Sequence, residues 1–121
     1  MDKKTMKKLI DIQQQYAKLK PDRRICSINE TYIHLCVEEF VEVLDWVDSP
    51  ISAVYHYDTE YGYHFELGVK FEGVEIMALF TWQELIDTKT MIFVPITLRD
   101  QFEHDVRSQQ EAQLSCQTNP N

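Results

Sequence analysis

The sequence predicts a single α+β domain built on a mainly antiparallel sheet of five or six strands. Three observations support this fold class. Residues 63–81 place an apolar side chain at every second position around a turn, as a hairpin does. Apolar residues recur at helical spacing elsewhere, and a length of 121 residues suits one hydrophobic core.

The hairpin predicts its own register. With the Glu-Gly pair at positions 72 and 73 as a two-residue turn, Phe71 faces Val74, and the ladder ends with Phe65 facing Phe80. Every pair on that face is apolar, so this face is expected to form the core of the sheet.

Helical periodicity marks three further segments, residues 5–20, 37–47 and 97–107. A shorter helix is predicted after the hairpin, because Thr81 and Glu84 have the spacing of a capping box. The three longer helices are expected to pack against the sheet, since each has an apolar stripe.

Four shorter runs are predicted as the remaining strands: residues 24–28, 31–36, 51–57 and 91–96. The first two form a hairpin whose alternation places Cys26 on the core face and Cys36 on the opposite face. A loop over residues 58–62 would place Tyr55 opposite Phe65 and so join the third strand to the central hairpin.

One domain is expected to span residues 1–107, and residues 108–121 are expected to form a frayed or disordered polar tail. No apolar run approaches the roughly 20 residues that cross a bilayer, and the basic N-terminus has no signal-peptide pattern. The sequence therefore predicts a cytoplasmic protein without membrane contact.

The cysteines favour free thiols in a reducing compartment. There are three of them at unrelated spacings, which disfavours a disulfide framework and a zinc site. His56 and His64 have the same parity on neighbouring strands, but only Glu66 is near enough to be a third ligand. Neither a metal nor another cofactor is predicted, and no residue spacing predicts a catalytic group.

Charge is distributed unevenly along the chain. Residues 1–24 hold eight basic and three acidic side chains, a net charge of +5, whereas residues 25–121 hold four basic and seventeen acidic ones, a net charge of −13. The acidic body disfavours general nucleic-acid binding, because it would repel phosphates. The basic segment can contact an acidic partner or the acidic body of a second copy, or it can form a solvated helix face.

Apolar residues on the second face of the sheet, among them Val54, Met77 and Leu79, predict either helices on both faces or a dimer contact. Together with the charge asymmetry they predict a homo-oligomer.

A ligand site is predicted where aromatic side chains and arginines occur. Tyr57, Tyr63 and His64 border the loop after the third strand and offer rings with polar tips, although half-buried strand aromatics would show the same pattern. Arg99 and Arg107 are eight residues apart on the last helix and would bracket a phosphate, or else form surface ion pairs with its acids.

The chain enters and leaves the hairpin at one edge of the predicted sheet. Phe80 and Trp82 lead out of the edge at which the loop over residues 58–62 lies. A small ligand is therefore expected at that edge.

A second candidate surface is acidic. Carboxylates follow one side of the second long helix and continue just beyond it: Glu38, Glu39, Glu42, Asp45 and Asp48. They form either a solvated helix face or a docking surface for a basic protein.

The layout resembles that of small phage-encoded proteins that act against host defence. An N-terminal helix, a strand YIHL (residues 32–35), the hairpin FEGVEIMALF (residues 71–80) and a C-terminal helix with arginines are similar in order to the anti-Thoeris sponge proteins, which sequester cyclic ADP-ribose signals. The resemblance implies that an aromatic ring stacks on the ligand's base and that helix arginines meet its phosphates. The matching residues here are Phe80 and Arg107, but Glu111 stands where a second arginine is expected.

The sequence thus predicts a non-enzymatic binding protein. The resemblance implies a phage-type inhibitor of host immunity that sequesters a nucleotide-derived signalling molecule in the host cytoplasm. The alternative is an inhibitor that docks the Glu38–Asp48 face onto a basic host protein. A small enzyme or a structural subunit is the third possibility.

Overall fold

The computed structural model describes residues 1–19 and 23–118 of the chain. In chain order the elements are α1 (Lys3–Leu19), β1 (Ile25–Ile28), β2 (Tyr32–Leu35), α2 (Val37–Leu44), β3 (Ser52–Tyr55), β4 (Phe65–Phe71), β5 (Val74–Phe80), α3 (Trp82–Asp87), a 3₁₀ turn (Met91–Phe93) and α4 (Ile96–Thr118). One five-stranded, mostly antiparallel sheet with N-terminal, middle and C-terminal helices confirms the predicted α+β fold class.

The strands lie in the order β1-β2-β5-β4-β3, and only β2 and β5 are parallel neighbours. Because parallel strands end at the same edge of a sheet, α2 and α3, which follow β2 and β5 after one residue each, begin at that edge. We term it the carboxyl edge. β1 and β4 also begin there, and β3 ends there.

The β4–β5 hairpin has the predicted register at every pair of its ladder. Glu72 and Gly73 have φ angles of 51° and 77°, and two consecutive positive values are what a type I′ turn requires. Tyr55 of β3 lies opposite Phe65, which confirms the predicted placement of the third strand.

The β1–β2 hairpin is irregular. Ile25 pairs with Leu35 but Ser27 pairs with His34, so Cys26 is an extra residue in β1, a β-bulge. The bulge shifts the alternation of the strand by one residue. The prediction that Cys26 lies on the core face is therefore wrong, and its side chain is exposed.

The core lies between one face of the sheet and helices α2, α3 and α4. Its largest fully buried side chains come from both layers: Phe40, Phe65, Leu67, Phe80, Leu85 and Val94. Phe40 of α2 meets Phe80 of β5 edge to face, with ring centroids 5.9 Å apart. This contact fixes α2 over the centre of the sheet.

α1 does not share this packing. Every residue of α1 is exposed, including Met6, Leu9 and Tyr16 of its apolar stripe. The expectation that this helix packs against the sheet is not met, because α2, α3 and α4 already cover the apolar face. Residues 20–22, which include the predicted end of this helix at residue 20, lie outside the described residues.

The predicted strand over residues 91–96 is wrong. A 3₁₀ turn occupies Met91–Phe93, and α4 begins at Ile96. Val94 is buried whereas Ile92 is exposed, as a turn allows. A short apolar run does not distinguish such a turn from a buried strand.

α4 continues to Thr118. It therefore extends through most of the segment predicted to be a polar tail, and its side chains at residues 107–114 are exposed. Residues 119–121 lie outside the described part of the chain.

Candidate functional site

An open cavity of about 580 Å³ lies at the carboxyl edge. The start of α2, the end of β5 and α3 form its walls, together with Tyr63 before β4 and Cys26 in the bulge of β1. The topology explains its position, since β2 and β5 both end here and each leads into a helix. Crevices at the carboxyl ends of parallel strands are common ligand sites, and about 300–1,000 Å³ is a usual volume.

The lining of the cavity is acidic. Glu38, Glu84 and Asp87 line it, and none of the described lining residues is a lysine or an arginine. Glu84 Oε1 accepts a hydrogen bond from Thr81 N at 3.0 Å, in the predicted capping box of α3, and Asp87 Oδ1 accepts one from Gln83 Nε2 at 2.9 Å. Glu38 forms no hydrogen bond or ion pair with the described residues, so its charge is available to a ligand.

Neutral groups complete the lining. His34 is half-buried, and burial lowers the pKa of its imidazole although the Glu66 carboxylate acts in the opposite direction. The imidazole is therefore predominantly neutral near pH 7 and can both donate and accept a hydrogen bond. Tyr63 and Leu79 provide an aromatic and an aliphatic surface for the less polar part of a ligand.

Two thiols lie side by side in the cavity wall. Cys26 Sγ and Cys36 Sγ are 3.9 Å apart, and the Cys36 thiol donates a hydrogen bond to the carbonyl oxygen of Arg23 at 2.7 Å. Cys36 is the N-cap residue of α2, but its side chain makes no capping hydrogen bond. Burial raises the pKa of Cys26, and the neighbouring Cys36 acts in the same direction, so Cys26 is protonated at neutral pH.

Aromatic rings cluster where β3, β4, α3 and α4 meet. Trp82 and Phe102 are stacked with ring centroids 4.6 Å apart, and Tyr55 is stacked on His64 at 5.9 Å. Phe102 also lies 5.5 Å from Phe65 and 5.4 Å from His64. The cluster therefore joins α4 to the sheet at the carboxyl edge.

A hydrogen bond reinforces the contact between α4 and β3. The Tyr55 hydroxyl donates to Asp105 Oδ2 at 2.6 Å. Burial raises the pKa of Tyr55 well above its ordinary value, and the hydrogen bond to the carboxylate adds to this effect. Tyr55 thus remains a donor at all physiological pH values.

The structure separates the residues that the sequence predicts as ligand contacts. Tyr63 lines the cavity, whereas His64 lies in the aromatic cluster, where its Nδ1–H donates to the carbonyl oxygen of His56 at 2.8 Å. Tyr57 is 60% exposed after β3. Phe80 is 0% exposed and packs in the core, so its ring is not accessible to a ligand.

Arg99 and Arg107, the two arginines predicted as phosphate contacts, do not line the cavity. Arg99 is half-buried on α4, and its Nε has no hydrogen-bond partner among the described residues. Arg107 is exposed, with Nη2 at 3.8 Å from Glu103 Oε2. The alternative of a surface ion pair describes Arg107 better than a phosphate contact does.

The carboxylates predicted as docking residues remain at the surface, exposed or half-buried: Glu38, Glu39, Glu42, Asp45 and Asp48. None of them forms an ion pair with the described residues. Glu38, Glu39 and Glu42 lie on α2, whose Phe40 is fully buried, whereas Asp45 and Asp48 follow the end of the helix.

Sequence reasoning missed His34 and the thiol pair as members of one site, and it assigned Glu38 only to the outer surface. One signal was available, because helices are predicted directly after the strands that end at Leu35 and Phe80. The strand order that brings those two strands together is not visible in the sequence pattern.

The chain matches no protein-family model, no curated protein and no solved structure. Within the described residues, no helix combines the length and the apolar character that crossing a bilayer requires. Function is therefore inferred from the geometry of the cavity and its surroundings. The homo-oligomer predicted from the apolar second face and the charge asymmetry stays a prediction.

Proposed function

We propose that this protein is a binding protein that sequesters a small ligand in the carboxyl-edge cavity, as a phage-type inhibitor of host immunity would remove a nucleotide-derived signal. The cavity itself supports this proposal, because its volume of about 580 Å³ suits a molecule of nucleoside size. The phage context rests on the resemblance in layout alone.

The charge of the lining selects the part of the ligand that enters. Glu38, Glu84 and Asp87 would repel a phosphate, and none of the described lining residues is a lysine or an arginine that would offset this repulsion. Carboxylates instead accept hydrogen bonds from amino and hydroxyl groups. The proposed ligand is therefore a phosphate-free nucleoside, or the nucleoside end of a nucleotide whose phosphates remain in solvent.

Three side chains have distinct roles in this proposal. The Tyr63 ring stacks on the base, and the neutral His34 imidazole bonds to a polar edge of the base or sugar. Glu38, whose carboxylate has no partner among the described residues, accepts from an amino group.

Calorimetric titration with adenosine and adenosine monophosphate tests the proposal as a matched pair. The two molecules differ only in the phosphate. Adenosine is expected to bind more tightly, because the acidic lining repels that phosphate. Glu38→Gln should weaken adenosine binding about tenfold, equivalent to about 1.4 kcal/mol. Glu42→Gln is the control, since it removes the same charge from the same helix but Glu42 does not line the cavity.

Two results would count against this function. Tighter binding of the monophosphate would contradict the charge argument. It would instead favour a phosphate contact with Arg99 or Arg107 of α4. If neither adenosine, other nucleosides nor cyclic ADP-ribose changes the melting temperature, and native mass spectrometry of protein from a host extract shows no retained small molecule, sequestration should be abandoned.

A second function is favoured by the acidic surface that α2 and the residues just after it form, from Glu38 to Asp48. Its five carboxylates lack ion-pair partners among the described residues, and Glu38 connects them to the acidic cavity. Such a surface can dock onto a basic host protein, with an association that weakens steeply as ionic strength rises.

A Lys-rich peptide serves as the probe for this second function. The triple variant Glu42→Gln, Asp45→Asn, Asp48→Asn should bind the peptide more weakly than the wild type. The control triple variant Asp58→Asn, Glu60→Gln, Glu72→Gln carries the same net charge but leaves α2 unchanged. Equal weakening by both variants would show that the peptide responds to net charge and not to the surface of α2.

A further inference from the structure

The thiol pair at the cavity wall has a chemistry of its own. We propose that Cys26 and Cys36 form a thiol–disulfide exchange site that reacts with low-molecular-weight disulfides of the glutathione type and closes an intramolecular disulfide. This site does not depend on whether the cavity binds a ligand.

The bulge in β1 creates the pair. Regular alternation would place the two side chains on opposite faces of the hairpin, but the extra residue turns Cys26 towards Cys36. The N–H of Cys36 donates to the carbonyl oxygen of Arg24 at 2.9 Å, which holds the two backbones together beside the thiols. The β1–β2 pairing therefore brings the two cysteines together before any covalent bond forms.

The distance between the thiols favours closure. The Sγ atoms are 3.9 Å apart, and a disulfide bond is about 2.05 Å long. The remaining approach of about 2 Å is within the range of side-chain rotation about χ1. A second thiol at this distance acts at a very high effective concentration, so it competes efficiently with thiols in solution.

The pair is also accessible to a reagent. Cys26 is exposed and Cys36 is half-buried, and both line the open cavity. A small disulfide can therefore reach them without opening of the core. Exposed disulfides are in general the more easily reduced ones, which makes the exchange reversible.

The reaction proceeds in two exchanges. Because the pKa of Cys26 is raised, only a small fraction of this thiol is ionised at neutral pH, and the exchange is expected to be faster at higher pH. The thiolate of one cysteine attacks a sulfur of the reagent, breaking the reagent's S–S bond and releasing one thiolate. The second cysteine, also deprotonated, attacks the protein sulfur of this mixed disulfide and releases the second thiolate. The two protons lost by the cysteines end on the two released thiols, so the cysteines are oxidised and the reagent is reduced.

Oxidation would change the wall of the cavity. A disulfide sulfur carries no proton, so the hydrogen bond from Cys36 to the carbonyl oxygen of Arg23 would be lost. At the same time, the bulge of β1 would be tied to the residue that precedes α2. The thiol state of the pair would thus set the shape of one side of the cavity.

Alkylation followed by intact-mass measurement tests the site in the full chain carrying Cys116→Ser, which removes the third cysteine. The reduced protein should take up two alkyl groups. After incubation with glutathione disulfide it should take up none, carry no glutathione, and have lost two hydrogen atoms. Two alkyl groups after this treatment would overturn the proposal.

Single-cysteine variants supply the matched controls. Cys26→Ser and Cys36→Ser, each in the Cys116→Ser background, cannot complete the second exchange and should stop at a glutathione adduct. The adduct should be at least about tenfold more abundant in these variants than in the protein with both thiols. An equally abundant, persistent adduct on the protein with both thiols would overturn the proposal, as would bound zinc that protects both thiols from oxidation.

Discussion

The β4–β5 and β1–β2 hairpins belong to the same sheet, but they differ in how regularly their strands pair. β4–β5 has an unbroken ladder, and residues from it fill the centre of the core. β1–β2 has a bulge, and the residue that the bulge displaces lies in the cavity wall. Regular pairing supports stability here, whereas the irregular pairing brings two thiols together.

The largest expected effect lies in the regular hairpin. Phe80→Ala should lower the free energy of unfolding by about 3–5 kcal/mol, because it leaves a cavity where the ring meets Phe40. Phe71→Ala in the same hairpin should cost only about 1 kcal/mol, since Phe71 is 41% exposed and mainly contacts Trp46. Urea unfolding measures both, and equal losses would contradict the placement of the core.

The turn of the regular hairpin should show the next largest effect. Gly73 has φ of 77°, so Gly73→Ala should destabilise the protein by about 1–2 kcal/mol. Glu72 also has a positive φ, of 51°, but a substitution there should have the opposite effect on stability. Glu72→Asn introduces a residue that a type I′ turn prefers and should stabilise the protein. Thermal melts should show a lower midpoint for the first variant and a raised one for the second.

The turn of the irregular hairpin depends on one side chain. Asn29 Oδ1 accepts hydrogen bonds from Thr31 N at 2.9 Å, Tyr32 N at 2.9 Å and Thr31 Oγ1 at 3.0 Å. Asn29→Ala should therefore cost about 1 kcal/mol of unfolding free energy. Asn29→Asp keeps an acceptor and should be nearly neutral, so equal destabilisation by both would rule out the hydrogen-bonding role.

The smallest expected effect is a pH dependence on the irregular hairpin. The pKa of His34 is lowered in the folded protein, so the unfolded chain binds the proton more readily. The stability that His34 contributes is complete above its unfolded pKa of 6.5 and is lost as pH falls towards the folded value.

His34→Gln isolates this contribution, because glutamine has no titratable group. Between about pH 7.5 and about pH 5.5, the melting temperature of the variant should fall less than that of the wild type. Calorimetric scans across this range measure the difference. An unchanged slope would assign the pH dependence to other groups.

Local sequence rules were sufficient to predict the structure where the strand pairing is regular. The alternation around Gly73 predicted the β4–β5 register, and Thr81 with Glu84 predicted the capping box of α3. Each of these signals is contained within about 20 residues of chain, so no knowledge of the tertiary arrangement was needed.

The features that the sequence did not predict, the bulge of β1 and most of the cavity lining, depend on contacts between distant segments. The sequence of β1 is apolar at positions on both sides of the bulge, so its alternation does not mark Cys26 as the extra residue. The parallel pairing of β2 with β5 brings His34 and Leu79 to one cavity, although 44 positions separate them in the chain. The cavity lies at the edge of the sheet where the sequence predicts a ligand, but most of its lining residues were not predicted. Ligand binding at this edge stays a prediction.

The bulge has one more consequence, because β1 is the outermost strand of the sheet. The free side of an edge strand offers unpaired N–H and C=O groups that can recruit a strand from another molecule and start aggregation. A bulge interrupts this template and twists the strand away from a flat geometry. The extra residue at Cys26 should thus help to keep the protein from polymerising through its sheet.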